Sequence, residues 1–286
     1  MTAPERAGAA GGPVLLAALD IDGTIVDHDE RLSDRVRQAV ADVAASGVHV
    51  VVATGRSLHG TLPVLDRLGL TRGWTVCSNG AVVLRLDPDL EAGYEIAHAE
   101  TFDPTRALQL IREHLPAASY AVEDVGRGYR LTAPFPDGEL SGELEIVPFV
   151  DLLHRAATRV IVRSPRHSPQ EFNELIERIG LHGVNYAVGW TAWLDLAPDG
   201  VSKASALEIV RKALDVPADR TLAVGDGRND LEMFAWAGDS VAMGQASPEV
   251  LAAAGRTTAG VDDDGLALVL EAFLVPSRRQ DPAALA

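Results

Sequence analysis

Apolar and polar positions come in short blocks along this chain, and the blocks repeat. Val14 to Leu19 is an unbroken apolar run that meets Asp20, the pattern of a buried strand closed by a polar turn. Ser33 stands where a helix N-cap belongs. Val36, Val40 and Val43 follow at near-helical spacing, and Gly47 stops the run. Val48 to Ala53 is a second strand, Ser57 to Leu68 a second helix and Trp74 to Cys77 a third strand. Strand and helix in strict alternation predict a parallel sheet with crossover helices.

The same grammar returns late in the chain. Ser202 to Leu214, Asp230 to Ala237 and Ser247 to Ala254 read as helices; Thr221 to Gly225 and Ser240 to Met243 read as strands. Both ends of the chain therefore belong to one α/β layer system. The middle differs. Tyr94 to His98, Ser119 to Glu123, Gly128 to Leu131, Arg159 to Arg163, Asn185 to Gly189 and Trp193 to Leu196 are short strands. Only two helices accompany them, Pro104 to His114 and Ser168 to Ile179. Short paired strands with few helices suggest an antiparallel sheet covered on one face. Residues 85–193 thus read as an insertion, splitting the α/β unit into 14–84 and 194–275, with mobile tails at 1–13 and 276–286.

The 286 residues suffice for one large domain or two modest ones, and the 47 % hydrophobic content supports a sizeable core. The formal net charge of −16 argues against nucleic-acid or anionic-membrane partners. An acidic chain that binds a phosphorylated ligand needs a local source of positive charge. A single cysteine, Cys77, has no partner for an internal disulfide and reads as a buried small hydrophobe. The opening apolar run is too short for a secretory or membrane segment, so a cytoplasmic protein is expected.

Four places carry candidate chemistry, each just past a strand or at a helix start. Ligands of open α/β sheets bind at the carboxyl ends of strands. The first place is Asp20-Ile21-Asp22-Gly23-Thr24. Two carboxylates one residue apart repel unless a cation lies between them or their roles differ. The pattern also occurs in plain turns, and in calcium loops, which Arg31 at the twelfth position excludes. The second is Thr54-Gly55-Arg56, a phosphate cradle or simply a helix cap. The third is Lys203, where a helix begins; a cation is unfavourable there unless it faces an anion, although most lysines are merely solvated. The fourth is Gly225-Asp226-Gly227-Arg228-Asn229-Asp230. Carboxylates without His or Cys favour a hard divalent ion, Mg²⁺ ahead of Zn²⁺.

Taken jointly and in chain order, these motifs resemble the haloacid dehalogenase-like superfamily, specifically its Cof-type phosphatases. Ser78-Asn79-Gly80-Ala81, Pro198 to Lys203 and Val241 to Ala246 add to the match, which spans all but the tails. The resemblance implies a Rossmann-like, doubly wound parallel sheet with an inserted α+β cap of type IIB. It implies Asp20 as nucleophile, forming an aspartyl-phosphate, and Asp22 as general acid and base. Mg²⁺ would be held by Asp20, the Asp22 main-chain carbonyl and Asp226, with Asp230 behind them ordering Lys203. Thr54, Lys203 and Asn229 would grip phosphate, with Gly55, Arg56, Asn79 and Gly80 lining the site. The implied reaction is hydrolysis of a small phosphorylated metabolite, sugar phosphates ahead of nucleotides, pyridoxal phosphate and flavin mononucleotide. A phosphosugar mutase of the same superfamily shares the nucleophile, and a receiver-like phospho-acceptor is a third reading. In the cap, Arg127, Arg130 and Arg163 are within reach of a polar substrate, though such side chains usually stay solvated.

Overall fold

The structure, a computed structural model, describes residues 14–181, 183–188 and 192–274. The expected tails and Gly189 lie outside the described residues. The chain begins with β1 (Leu16–Leu19), α1 (Asp34–Ala45), β2 (His49–Ala53), α2 (Leu58–Leu68), β3 (Gly73–Cys77), β4 (Val82–Leu86) and β5 (Tyr94–Ala99). It continues through α3 (Thr105–His114), β6 (Ser119–Asp124), β7 (Gly128–Leu131), β8 (Glu143–Ile146), β9 (Val160–Arg163), α4 (Pro169–Ile179), β10 (Val184–Val188) and β11 (Trp193–Pro198). It closes with α5 (Lys203–Ala213), β12 (Thr221–Gly225), α6 (Leu231–Trp236), β13 (Asp239–Ala242), α7 (Pro248–Ala253), β14 (Arg256–Thr257) and α8 (Gly265–Leu274).

Eight strands form the larger sheet in the order β14-β13-β12-β1-β2-β3-β4-β5. All pairs from β14 to β3 are parallel. Successive β1 residues point to opposite faces, so Leu19 packs with α1, α2 and α8 while Leu16 and Ala18 pack with α5, α6 and α7. Burial on both faces explains why these strands read as unbroken apolar runs rather than alternating ones. Ser33 caps α1 as expected, its Oγ accepting from Val36 N at 3.0 Å, a contact that stabilises a helix by about 1 kcal/mol. Strand order reverses at β1: β2 and β3 lie on one side, β12 and β13 on the other. A crevice opens at the carboxyl ends of strands where such a reversal occurs.

The smaller sheet runs β10-β11-β9-β6-β7-β8, antiparallel except for the parallel β7–β8 pair. Tyr120, Val122, Val160, Val162, Leu194 and Leu196 face α3 and α4 and form a separate core. The alternate residues of the same strands face the other way.

The limits of the insertion at 85 and 193 are moved by this pairing. β4 and β5 extend the larger sheet as antiparallel strands, with Cys77 opposite Val82. The chain therefore leaves that sheet after Ala99, and β11 still belongs to the smaller one. Among the described residues no helix is long and apolar enough to cross a membrane.

Candidate active site

Parallel pairing explains why motifs far apart in sequence meet. Leu19 is in register with Val224 on β12 and with Val52 on β2. The residues just past these strand ends, Asp20, Asp226 and Thr54, are therefore neighbours, and Asp20 N donates to Val224 O at 3.0 Å. Gly23 turns the chain at φ +75°, and a Cβ there would lie 2.2 Å from Asp226 Oδ2. Only glycine lets the first acidic loop approach the fourth so closely.

Lys203, the first residue of α5, is wholly buried, and its Nζ donates to Asp20 Oδ1 at 2.6 Å and to Asp230 Oδ1 at 2.7 Å. The cation at a helix start, unfavourable by the helix dipole, is thus answered by two carboxylates. Burial opposes its charge, but Asp20 and Asp230 more than offset this and raise its pKa. Asp230 uses its other oxygen to accept from Asp226 N at 3.0 Å and Gly227 N at 2.9 Å. It fixes the fourth loop and Lys203 together.

Carboxylate oxygens of Asp20, Asp226 and Asp230 lie within 4.8 Å of one another. Burial, then the neighbouring carboxylates, push Asp20 well above the ordinary range despite Lys203. Burial and Asp230 push Asp226 up to about 6. One ammonium group does not balance three clustered carboxylates, two of them buried and Asp226 half-buried. Asp230 has both oxygens engaged, which leaves Asp20 and Asp226 with oxygens to spare. The donor set fits a hard divalent cation.

Asp22 is different. Its side chain is 60 % exposed and pairs with Arg56, whose Nε lies 3.1 Å from Asp22 Oδ2. Arg56 also bonds Glu30. Thr54 is fully buried, and its Oγ1 accepts from Arg56 N at 3.0 Å, so it holds the turn while keeping its own proton to donate. Asn229 Nδ2 donates to Asn79 Oδ1 at 3.0 Å. Asn79 sits at φ +52°. Gly80 beside it packs so tightly on α5 that a Cβ would lie 2.1 Å from Ser202 O.

Asp20, Asp22, Gly55, Arg56, Asn79, Asp226 and Asn229 line one cavity of about 540 Å³ between the two sheets. That volume is within the range of small-molecule sites, roughly 300–1,000 Å³. Lys203 lines an adjoining cavity of about 350 Å³, which shares Asn79 and Asn229. Thr54 and Asp230 sit behind the surface. Arg127, Arg130 and Arg163 line neither cavity; they pair with Glu143, Asp124 and Glu139. The smaller sheet instead contributes Tyr129, Arg159, Trp193 and Asp195 to the larger cavity. Sequence reading passed over these four. Their signal was a charge inside a short apolar strand: Asp195 between Leu194 and Leu196, on the face opposite the helices.

Two parallel-sheet loops rich in carboxylate, a buried lysine between them and a second sheet over the crevice define an α/β protein with a covered, acid-lined candidate active site. The family described as haloacid dehalogenase-like hydrolase matches residues 17–270, and the chain belongs to it, grouped with its phosphatases. Phosphatase YwpJ of Bacillus subtilis is 28 % identical over 91 % of this chain and 99 % of its own length. The 5-amino-6-(5-phospho-D-ribitylamino)uracil phosphatase YitU of the same organism is 26 % identical over 90 % of this chain and 97 % of its own. The solved subclass IIB sugar phosphatase BT4131 superposes with a TM-score of 0.75, at 20 % identity over 90 % of this chain and 98 % of that one. That likeness is one of fold.

Proposed function

We propose that the chain is a Mg²⁺-dependent phosphatase that hydrolyses a small phosphorylated metabolite, a sugar phosphate first among them, through an aspartyl-phosphate on Asp20. The observation that carries this reading is the Asp20 carboxylate, one oxygen fixed by Lys203, in a residue that lines the crevice together with Asp226. Asp20, Asp226 and the Asp22 main-chain carbonyl would hold Mg²⁺, which would supply positive charge to screen Asp20 from an incoming phosphate dianion.

The chain's own residues do the rest. An Asp20 oxygen attacks phosphorus, and the ester oxygen leaves with a proton from Asp22. Water then attacks the aspartyl-phosphate, Asp22 takes its proton, and phosphate leaves with the Asp20 carboxylate restored. A phosphate entering beside Arg56 offers that guanidinium a competing partner, which frees Asp22 to carry a proton. Lys203, the Thr54 hydroxyl and the Asn229 amide stabilise the phosphoryl oxygens as charge redistributes. Residues 100–198 act as a cap over this crevice, and its face toward Asp20 chooses the leaving group.

Asp20→Asn is expected to abolish p-nitrophenyl phosphate hydrolysis while the far-ultraviolet dichroism is retained. Activity surviving in that variant removes Asp20 as nucleophile. Incubation with a hexose phosphate separates hydrolysis, which releases inorganic phosphate, from a mutase, which exchanges isomers without releasing it.

A further inference from the structure

The roof of the larger cavity contains a built polar cluster. Arg159 is 8 % exposed. Its Nε donates to Asp195 Oδ1 at 2.6 Å, and its Nη1 donates to the Tyr129 hydroxyl at 3.2 Å. The other Asp195 oxygen accepts from Trp193 Nε1 at 3.0 Å. The Trp193 ring is held edge-on against Phe135, centroids 5.9 Å apart. Among the described residues nothing accepts from Arg159 Nη2. Arg159 and Asp195 line both cavities, so the pair stands where the two meet.

The charge balance of this cluster points to its ligand. Glu123, on the neighbouring strand, is buried and also lies in the field of Arg159. Its Oε2 accepts from Ser78 Oγ at 2.7 Å and Thr158 Oγ1 at 3.0 Å. The guanidinium is therefore paired directly with one carboxylate, Asp195, and lies near a second, Glu123, that burial pushes toward its protonated form. Its positive charge is already answered, and what it still offers is hydrogen-bond donors without a net attraction for anions. Asp195 presents acceptor capacity beside them, and Trp193 and Tyr129 present ring surface. A buried donor–acceptor set with aromatic walls suits neutral hydroxyls on an alkyl chain or ring. A second carboxylate or phosphate on the leaving group meets Asp195 instead, in a site where water screens poorly.

We propose that Arg159 and Asp195 are specificity-determining residues that select phosphate esters of neutral polyols and discriminate against leaving groups bearing a second negative charge. This rests on the phosphatase reading above. The test compares sorbitol 6-phosphate with 6-phosphogluconate, which differ only in a hydroxymethyl against a carboxylate at the far carbon. Turnover of p-nitrophenyl phosphate with Mg²⁺ by the wild type is measured first; its absence counts against the phosphatase reading itself. Given turnover, kcat/KM is expected to favour sorbitol 6-phosphate on the order of tenfold, as expected for a like-charge contact in a partly desolvated site. In Asp195→Asn, which keeps the shape and frees the Arg159 charge, that ratio is expected to shrink at least about threefold. Most of the shrinkage should come from a lower KM for 6-phosphogluconate. Equal use of the two esters by the wild type overturns the proposal. So does an unchanged ratio in an Asp195→Asn protein whose thermal melt shows it folded.

Discussion

Lys203→Met tests the electrostatic centre of the site. The methionine keeps the length of the side chain and removes the ammonium group that now lies 2.6 Å from Asp20 and 2.7 Å from Asp230. The lysine side chain is 0 % exposed, and its partners are 6 % and 0 % exposed, so water does not replace the lost charge. Deleting one member of a buried ion pair leaves an uncompensated charge and costs about 3–5 kcal/mol. For a chain of this size each kcal/mol lowers the melting temperature by roughly 2–4 °C. The cost is measured by urea unfolding followed through tryptophan fluorescence, with EDTA present so that no divalent cation substitutes for the ammonium. The cycle is completed with Asp20→Asn and the double variant. Asp20→Asn removes one of the stranded carboxylates, so the double variant is expected to lose less than the sum of the singles. The coupling is that of a charged hydrogen bond, about 1.5–3 kcal/mol. Additivity within about 0.5 kcal/mol, or a Lys203→Met cost below about 1 kcal/mol, refutes the view that this lysine neutralises the buried carboxylates.

Other outcomes follow from the same geometry. Gly80→Ala places a methyl 2.1 Å from Ser202 O at φ +105°; it should cost about 2 kcal/mol or more and depress activity by shifting Lys203, and a wild-type urea midpoint contradicts this. Burial pushes the Glu123 carboxyl up, with Arg159, Ser78 and Thr158 opposing. The folded state therefore holds that proton more tightly than the unfolded chain, so this group's contribution to stability falls as pH rises from the ordinary glutamate range through the raised value. Glu123→Gln lacks that titration and should gain stability relative to wild type as the pH rises above the ordinary glutamate range; a pH-independent difference in urea midpoints contradicts it. EDTA is expected to abolish phosphatase activity and added Mg²⁺ to restore it, and full activity in metal-free buffer rules out the cation site at Asp20 and Asp226.

Much of the molecule was legible in one dimension. Strands buried on both faces announce themselves as apolar runs, and polar residues directly after them mark the crevice end of a parallel sheet. That is why Asp20, Thr54 and Asp226 were readable as candidates before any contact was known. Ser33 was legible as a cap because capping is a local hydrogen bond, here to Val36. Elements without a local signal were passed over. Val82 to Leu86 has the composition of any short strand, and only its pairing with β3 and β5 assigns it to the larger sheet. The α8 helix is apolar nearly all round, so it lacks the polar stripe that marks a surface helix; it packs Leu266, Val269 and Leu270 into the core.

The sequence by itself determined the alternation of elements, the residue types at strand ends and the excess of acid that calls for a local cation, because these depend on neighbours a few positions away. Tertiary structure decided which of those residues meet. Asp20, Lys203 and Asp230 converge because parallel register carries β1 beside β12 and because Gly80 lets α5 close against the loop after β3. It also decided which cap residues face the crevice. Arg127, Arg130 and Arg163 were the cap arginines within reach by sequence, but each is paired with an acid and lines neither cavity, while strand pairing turns Arg159 and Asp195 toward Asp20. A strand's two faces are equivalent in sequence until a second layer covers one of them, and the layer of α3 and α4 made that choice.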